Sequence, residues 1–203
     1  LLKKAKQAVL SYKSFENQAS KLRKKTNIKC GIDLCIAPKI KEEIIKYLLS
    51  KNIAITETPA KALENKLNLY TLDLIISSEV SSQKSSDHIK IAKEPFYIVF
   101  PKTHYLSQLK NSKLKLIIKE KILILDEFKE SQLYTWLKNN KKSADLNSIN
   151  TLDTLTQVIE KSGWISILPK SYLKNLPTTL SYLQIKDCPW SHSISVSFQK
   201  QNI

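Results

Sequence analysis

Four short sets of residues sit where apolar runs give way to polar ones: Ala37-Pro38-Lys39, Ser77-Ser78, Pro101-Lys102-Thr103 and Asn150-Thr151. Ligands of open α/β sheets bind beyond the carboxyl ends of parallel strands. Helix starts at those ends offer free N–H groups and a partial positive charge, which suits a small anion. Lys39 would add a full charge. Arg23 is the only arginine, so a bidentate carboxylate clamp is not available in the body of the chain. Lysine, hydroxyls and backbone N–H groups must hold any anion. The candidate ligand-binding residues are therefore Ala37, Lys39, Ser77, Ser78, Pro101, Thr103, Asn150 and Thr151. For each Ser, Thr or Asn the competing use is an ordinary helix cap.

Catalytic chemistry finds little support. His88, His104 and His192 have no metal-ligand spacing. No G-x-S-x-G, phosphate loop or G-x-G-x-x-G occurs, and a chain with two glycines could hardly build one. Asp126-Glu127 is an acidic pair at a strand end and reads as a solvated loop. His104 reads as a cap or turn residue. No enzyme activity, cofactor or metal is expected.

Cys30, Cys35 and Cys188 cannot all pair with one another, and no Cys-x-x-Cys is present. Buried apolar thiols in a reducing cytoplasm are the expectation. The chain has 203 residues, 42% of them hydrophobic, enough for a sizeable domain or two lobes. No apolar run is long enough to span a bilayer, and the start lacks the features of an export signal. Methionine is absent, position 1 included, so the chain is expected to begin within a longer product. The net charge of +15 comes almost wholly from lysine. With lysine, isoleucine, asparagine and serine abundant, this reads as solvated charge over all surfaces, not an arginine-rich nucleic-acid reader.

The elements that must position these residues follow from periodicity. Leu1, Ala8, Phe15 and Leu22 fall seven apart, with Ala5, Tyr12 and Ala19 in the second slot, so residues 1–25 read as a linker or dimerisation helix. Ile28 to Ile36 alternate as a strand. Pro38 opens a helix with Ile40, Ile44, Ile45, Leu48 and Leu49. Ile53 and Ile55 start a second strand, Thr58-Pro59 opens a second helix, and Leu72–Ile76 is a third strand. This βαβαβ order predicts a parallel sheet. Residues 77–90 read as a polar loop, 96–100 as a strand, 102–119 as a short helix with connecting chain, 122–125 as a strand and 130–140 as a helix. Within 148–169, Leu152, Leu155 and Ile159 mark a helix, with Asn150 or Thr151 as cap and Gly163 as stop, followed by a strand closed by Pro169. Residues 180–185 and 193–198 are late strands.

Four segments, taken in order, resemble the effector-binding half of LysR-type transcriptional regulators. NIKCGIDLCIAPKIKEEIIKYL is similar to the strand-turn-helix opening. ALENKLNLYTLDLIISSE looks like the "G-x-L-D-L-A-I" strand, with Tyr70 or Thr71 where glycine is common. KEPFYIVFPKTHYLSQ resembles "E-x-x-x-x-V-x-P-x-x-H-P-L-A" through Glu94, Pro101, His104 and Leu106. SINTLDTLTQVIEKSGWISILP resembles the helix and "G-x-G-x-x-x-L-P" segment. The cysteine pair of peroxide-sensing relatives is missing from ILILDEFKESQLYTWL.

The resemblance implies an α/β, two-lobe, periplasmic-binding-protein-like (type II) fold after an N-terminal linker helix. Lobe I would cover 27–99 plus 195–203 and lobe II 100–194, with crossing strands at 99–101 and 195–197. It further implies an interlobe cleft for a small, anionic effector. The chain would be a cytoplasmic homodimer or homotetramer with no membrane association. DNA would be bound only through an N-terminal domain outside this chain. Two other functions fit the residues: a transporter's solute-binding protein and a ligand-free interaction domain.

Overall fold

The structure is a computed structural model that describes residues 28–78, 86–129 and 131–199. The heptad seam of 1–25 lies outside them. The chain forms two compact units, one running to Lys93 and resuming at Ser193, the other spanning Glu94–His192.

The first unit is built on a five-stranded sheet in the order β2-β1-β3-β10-β4. Its strands are β1 (Lys29–Asp33), β2 (Ala54–Thr58), β3 (Leu74–Ser77), β4 (Ser86–Glu94) and β10 (His192–Gln199). β1 runs parallel to both β2 and β3, with Ile32 opposite Glu57 on one side and Ile76 on the other. β10 returns antiparallel to β3, placing Ser195 opposite Ser77. Helix α1 (Pro38–Ser50) connects β1 to β2, and α2 (Ala60–Asn68) connects β2 to β3.

Side chains alternate across a strand, so this sheet carries two apolar faces. Cys30, Ile32, Leu74 and Ile76 share one cluster with Leu48 and Ile36, and Ile40, Ile44 and Ile45 of α1 pack against it. Ile75 forms the other cluster with Leu63 and Leu67 of α2 and with Leu72. Burying Leu63 and Leu67 stabilises by about 1.5–3 kcal/mol each. Gly31 lets α2 approach: a Cβ there would lie 2.4 Å from Leu63 Cδ2 and 2.7 Å from Leu72 Cδ1.

Two expectations change here. The alternation through Ile36 does not continue the strand. The Asp33 carboxylate accepts the Cys35 N–H at 3.2 Å, and the chain turns with Leu34 exposed. The polar run expected as a loop to residue 90 instead contains β4 from Ser86, an edge strand beside β10. Edge strands tolerate charged and polar residues such as His88 and Lys90. Cys30 is fully buried, and burial pushes its thiol up to about 12, whereas Cys35 and Cys188 are only part-buried.

The second unit holds β5 (Phe96–Pro101), β6 (Ile122–Leu125), β7 (Leu146–Ile149), β8 (Ser166–Pro169) and β9 (Leu180–Gln184), with helices α3 (Leu114–Ile117), α4 (Gln132–Asn140) and α5 (Leu152–Ser162). β5 is flanked by β8 and β9, both antiparallel to it. It therefore lies wholly in this unit, and the division falls ahead of Phe96 rather than inside the strand. β6 and β7 are parallel, and Ile122 bridges Ile165 in parallel at the start of β8. Ile98, Phe100, Ile122, Ile124, Leu155 and Ile159 are buried at this unit's core. α5 begins and ends as its residues predict. The Thr151 hydroxyl accepts the Thr154 N–H at 3.2 Å, and Gly163 closes the helix at φ 71°.

Candidate functional site

In the first unit the carboxyl ends of β1 and β3 lie side by side, because the two strands are parallel and in register from Cys30–Leu74 to Ile32–Ile76. The helix start that follows β1 is Ala37-Pro38-Lys39. Ala37 is the cap residue and supplies no side-chain hydrogen bond, Pro38 occupies the first turn, and no acidic residue is found there. Pro38 and Lys39 are exposed, while Ala37 is buried. This is a helix N-terminus whose partial positive charge no nearby side chain of its own first turn offsets.

Ser77 is buried at the end of β3. Ser78 is already engaged: its N–H donates to Asp33 Oδ2 at 2.9 Å, and its hydroxyl donates to the same oxygen. Asp33 is fully buried. It thus ties the ends of β1 and β3 together through Ser78 while its other oxygen holds the turn at Cys35. Apolar periodicity does not point to Asp33, which stands among alternating apolar residues. The signal in the sequence is the acid itself, a group rarely buried unless its oxygens are satisfied.

In the second unit the strands sort the remaining candidates into two groups. β6, β7 and the start of β8 run the same way, and β5 runs opposite to β8. Hence Asn150 and Thr151, after β7, share one sheet end with Asp126, Pro169 and the start of β5. Pro101 and Thr103, after β5, stand at the other end. There Pro101 pairs with Leu180 and Val99 with Ser166. Pro101 and Thr103 therefore do not join Asn150 and Thr151, a correction that rests on the direction of one strand. Both Asn150 and Thr151 are exposed; Thr151 is spent on capping α5, whose first turn carries Asp153.

The end that holds Asn150 gathers further side chains. Asp126 and Glu127 are not merely a solvated loop. The Lys129 ammonium, 2.5 Å from Asp126, and the Ser148 hydroxyl hold the Asp126 carboxyl below its usual range. Glu127 Oε1 accepts the Tyr172 hydroxyl at 2.6 Å. Tyr172 meets Phe128 edge-on with ring centres 5.6 Å apart, and Phe128 meets His192 in the same manner at 5.7 Å. Glu94, buried at the start of the unit, accepts the Ser171 N–H at 2.9 Å through Oε2. That bond caps the 3₁₀ turn of Lys170–Asn175.

At the opposite end His104 acts as a cap, its Nδ1 accepting the Leu106 N–H at 3.3 Å. Its Nε2 lies 3.5 Å from Glu120 Oε2. Tyr105 donates its hydroxyl to Glu120 Oε1 at 2.5 Å, and this bond pushes the phenol up to about 12. Among the described residues no group of three or more His, Cys, Asp or Glu side chains could hold a metal ion. No helix among them is long and apolar enough to cross a membrane.

The family described as LysR substrate binding domain matches residues 52–202. The effector binding domain of a BenM variant superposes with a TM-score of 0.74 at 18% identity, covering 88% of each chain. The BenM effector binding domain with its effector benzoate gives a TM-score of 0.70 at 18% identity, over 87% of this chain and 84% of that one. The reduced form of the OxyR regulatory domain from Pseudomonas aeruginosa gives 0.70 at 17% identity, over 86% and 87%. These likenesses show a shared fold, the type II periplasmic-binding-protein-like fold. No curated protein sequence matches the chain.

Proposed function

Starting from the fact that the chain belongs to the LysR substrate binding domain family, we propose that it is the effector-sensing and oligomerisation region of a LysR-type transcriptional regulator. Its ligand is a small anionic molecule, and its role is non-enzymatic. The working assembly is a cytoplasmic homodimer or homotetramer that meets operator DNA through an N-terminal domain. The two compact units are lobes I and II of the sensor.

One observation supports the anionic ligand most strongly. Of the helix starts that follow parallel strands, α1, like α2 after β2, has no side-chain cap and no acid in its first turn, with Lys39 exposed beside it. α5 is capped by Thr151 and carries Asp153. An anion gains from α1 and is opposed at α5. The negative group therefore goes to Ala37–Lys39. Sensing requires that the ligand bind two arrangements of the lobes unequally.

The experiment is a thermal-shift screen against small organic acids, benzoate among them. A binder present at one hundred times its dissociation constant stabilises by about 2.7 kcal/mol, a shift of several degrees. Replacing Lys39 by Glu should abolish the shift of an acid but leave the unliganded melting temperature nearly unchanged. An acid that shifts both proteins equally would remove α1 from the reading.

A further inference from the structure

Residues 1–27 carry eight basic residues against Glu16 alone, and within 28–192 the remaining excess of positive charge lies mostly in the second unit. Residues 28–93 carry ten lysines against eight acids, whereas 110–121 carry five lysines against Glu120 alone, and 138–142 carry three lysines and no acid. The fold joins these two segments. Lys141 Nζ donates to the Ile118 carbonyl at 2.7 Å and to the Glu120 carbonyl. Lys119 and Lys121 lead into β6, and Lys141 and Lys142 precede its parallel neighbour β7. Lys119, Lys121, Lys141 and Lys142 therefore collect at the amino ends of β6 and β7, opposite the end that holds Asn150 and Thr151.

The nearby acids are fewer than the lysines. Glu120 and Asp145 act on Lys141, Glu120 also accepts the Tyr105 hydroxyl, and Asp187 accepts the Leu114 N–H at 2.8 Å. Lys110, Lys113, Lys115, Lys119 and Lys121 are exposed, and none is in an ion pair among the described residues. Like charges held this close repel one another, at a cost that a polyanion would reverse.

We infer that this lysine face, formed by residues 110–121 and 138–142, is a contact surface for the phosphate backbone of duplex DNA. The side-chain chemistry selects that partner. Lysine ammonium groups are point charges that meet phosphates without reading bases, and the face has no arginine to read guanine. An anionic membrane is disfavoured, because no exposed large apolar residue falls within 110–121 or 138–142 among the described residues and Tyr105 beside them is bonded to Glu120, so the face has no run of apolar side chains to insert. Binding is sequence-independent and adds to whatever an N-terminal domain contributes.

The test uses the whole 203-residue chain and two unrelated 30-base-pair duplexes, with affinity followed by fluorescence anisotropy across a salt series. Lys119→Gln/Lys121→Gln is compared with Lys61→Gln/Lys90→Gln, which removes equal charge from the first unit. Each phosphate contact contributes about 0.9 to the slope of log affinity against log salt. The face variant should lower that slope by roughly 2 and weaken both duplexes at least about tenfold, with the control close to the parent. If Lys119→Gln/Lys121→Gln melts at a lower temperature, Lys113→Gln/Lys115→Gln decides on the same readout. Equal effects from face and control variants would overturn the assignment, as would binding of only one of the two duplexes. So would loss of binding to phosphatidylserine vesicles with duplex binding intact.

Discussion

Asp33 holds Ser78 by two donors, the backbone N–H and the hydroxyl, across the ends of β1 and β3. Asp33 is buried, and its second oxygen is used on Cys35. The polar residue at the end of β3 is therefore part of the scaffold of the site, not a donor waiting for a ligand. Replacing Asp33 by Ala leaves two backbone N–H groups and a hydroxyl without their acceptor. The loss should be about 1–3 kcal/mol, read as a lower melting temperature and a lower denaturant midpoint. Asn at this position keeps one carbonyl acceptor and should cost less. An Ala variant as stable as the parent would show that the strand ends do not depend on this carboxylate.

Tyr105 supplies a pH-dependent signal of its own. Its phenol donates to Glu120, which pushes its ionisation up to about 12, above the usual value near 10. The favoured form is the neutral one, so the stabilising contribution is complete below pH about 10 and is lost as pH rises through about 12. Absorbance at 295 nm should show a late phase that includes Tyr105. Tyr105→Phe should reduce that phase by one tyrosine, and Glu120→Gln should return that share to the ordinary range. A late phase of unchanged size in Tyr105→Phe belongs to another residue.

Two left-handed positions make opposite predictions. Gly163 ends α5 at φ 71°, and a Cβ added there would meet no atom within 4 Å, so Gly163→Ala should cost about 1–2 kcal/mol through backbone conformation alone. Tyr70 adopts φ 56° and is 73% exposed, so its side chain gains little from burial to offset that conformation. Tyr70→Gly should therefore raise stability, by up to about 1 kcal/mol once the extra freedom of glycine in the unfolded chain is subtracted. Thermal or urea melts of the two variants check both signs.

Much of this fold is legible in the sequence because local rules agree. α5 shows its apolar spacing, a hydroxyl cap and a glycine stop within one short segment, and all three are present in the structure. α1 and α2 are equally plain, since Ile40, Ile44 and Leu48, or Leu63 and Leu67, repeat at helical spacing. What escapes is non-local. Strand direction is fixed by partners far along the chain, and β5 turns out antiparallel to both neighbours, which sends Pro101 and Thr103 to the wrong end for a shared site. β4 hides behind polar residues because an edge strand need not alternate apolar and polar side chains. The pairings of Asp33 with Ser78, Glu94 with Ser171 and Glu127 with Tyr172 are illegible because the partners lie 45 or 77 residues apart.

The measurement closest to the centre of this account is an amide correlation spectrum, recorded while the acid with the largest thermal shift is titrated into the isotope-labelled chain. Ligand capture at the start of α1 predicts saturable shifts concentrated in residues 37–41, growing with a single dissociation constant. Shifts gathered instead at 101–106, or a spectrum that no small acid changes, would contradict the sensor reading.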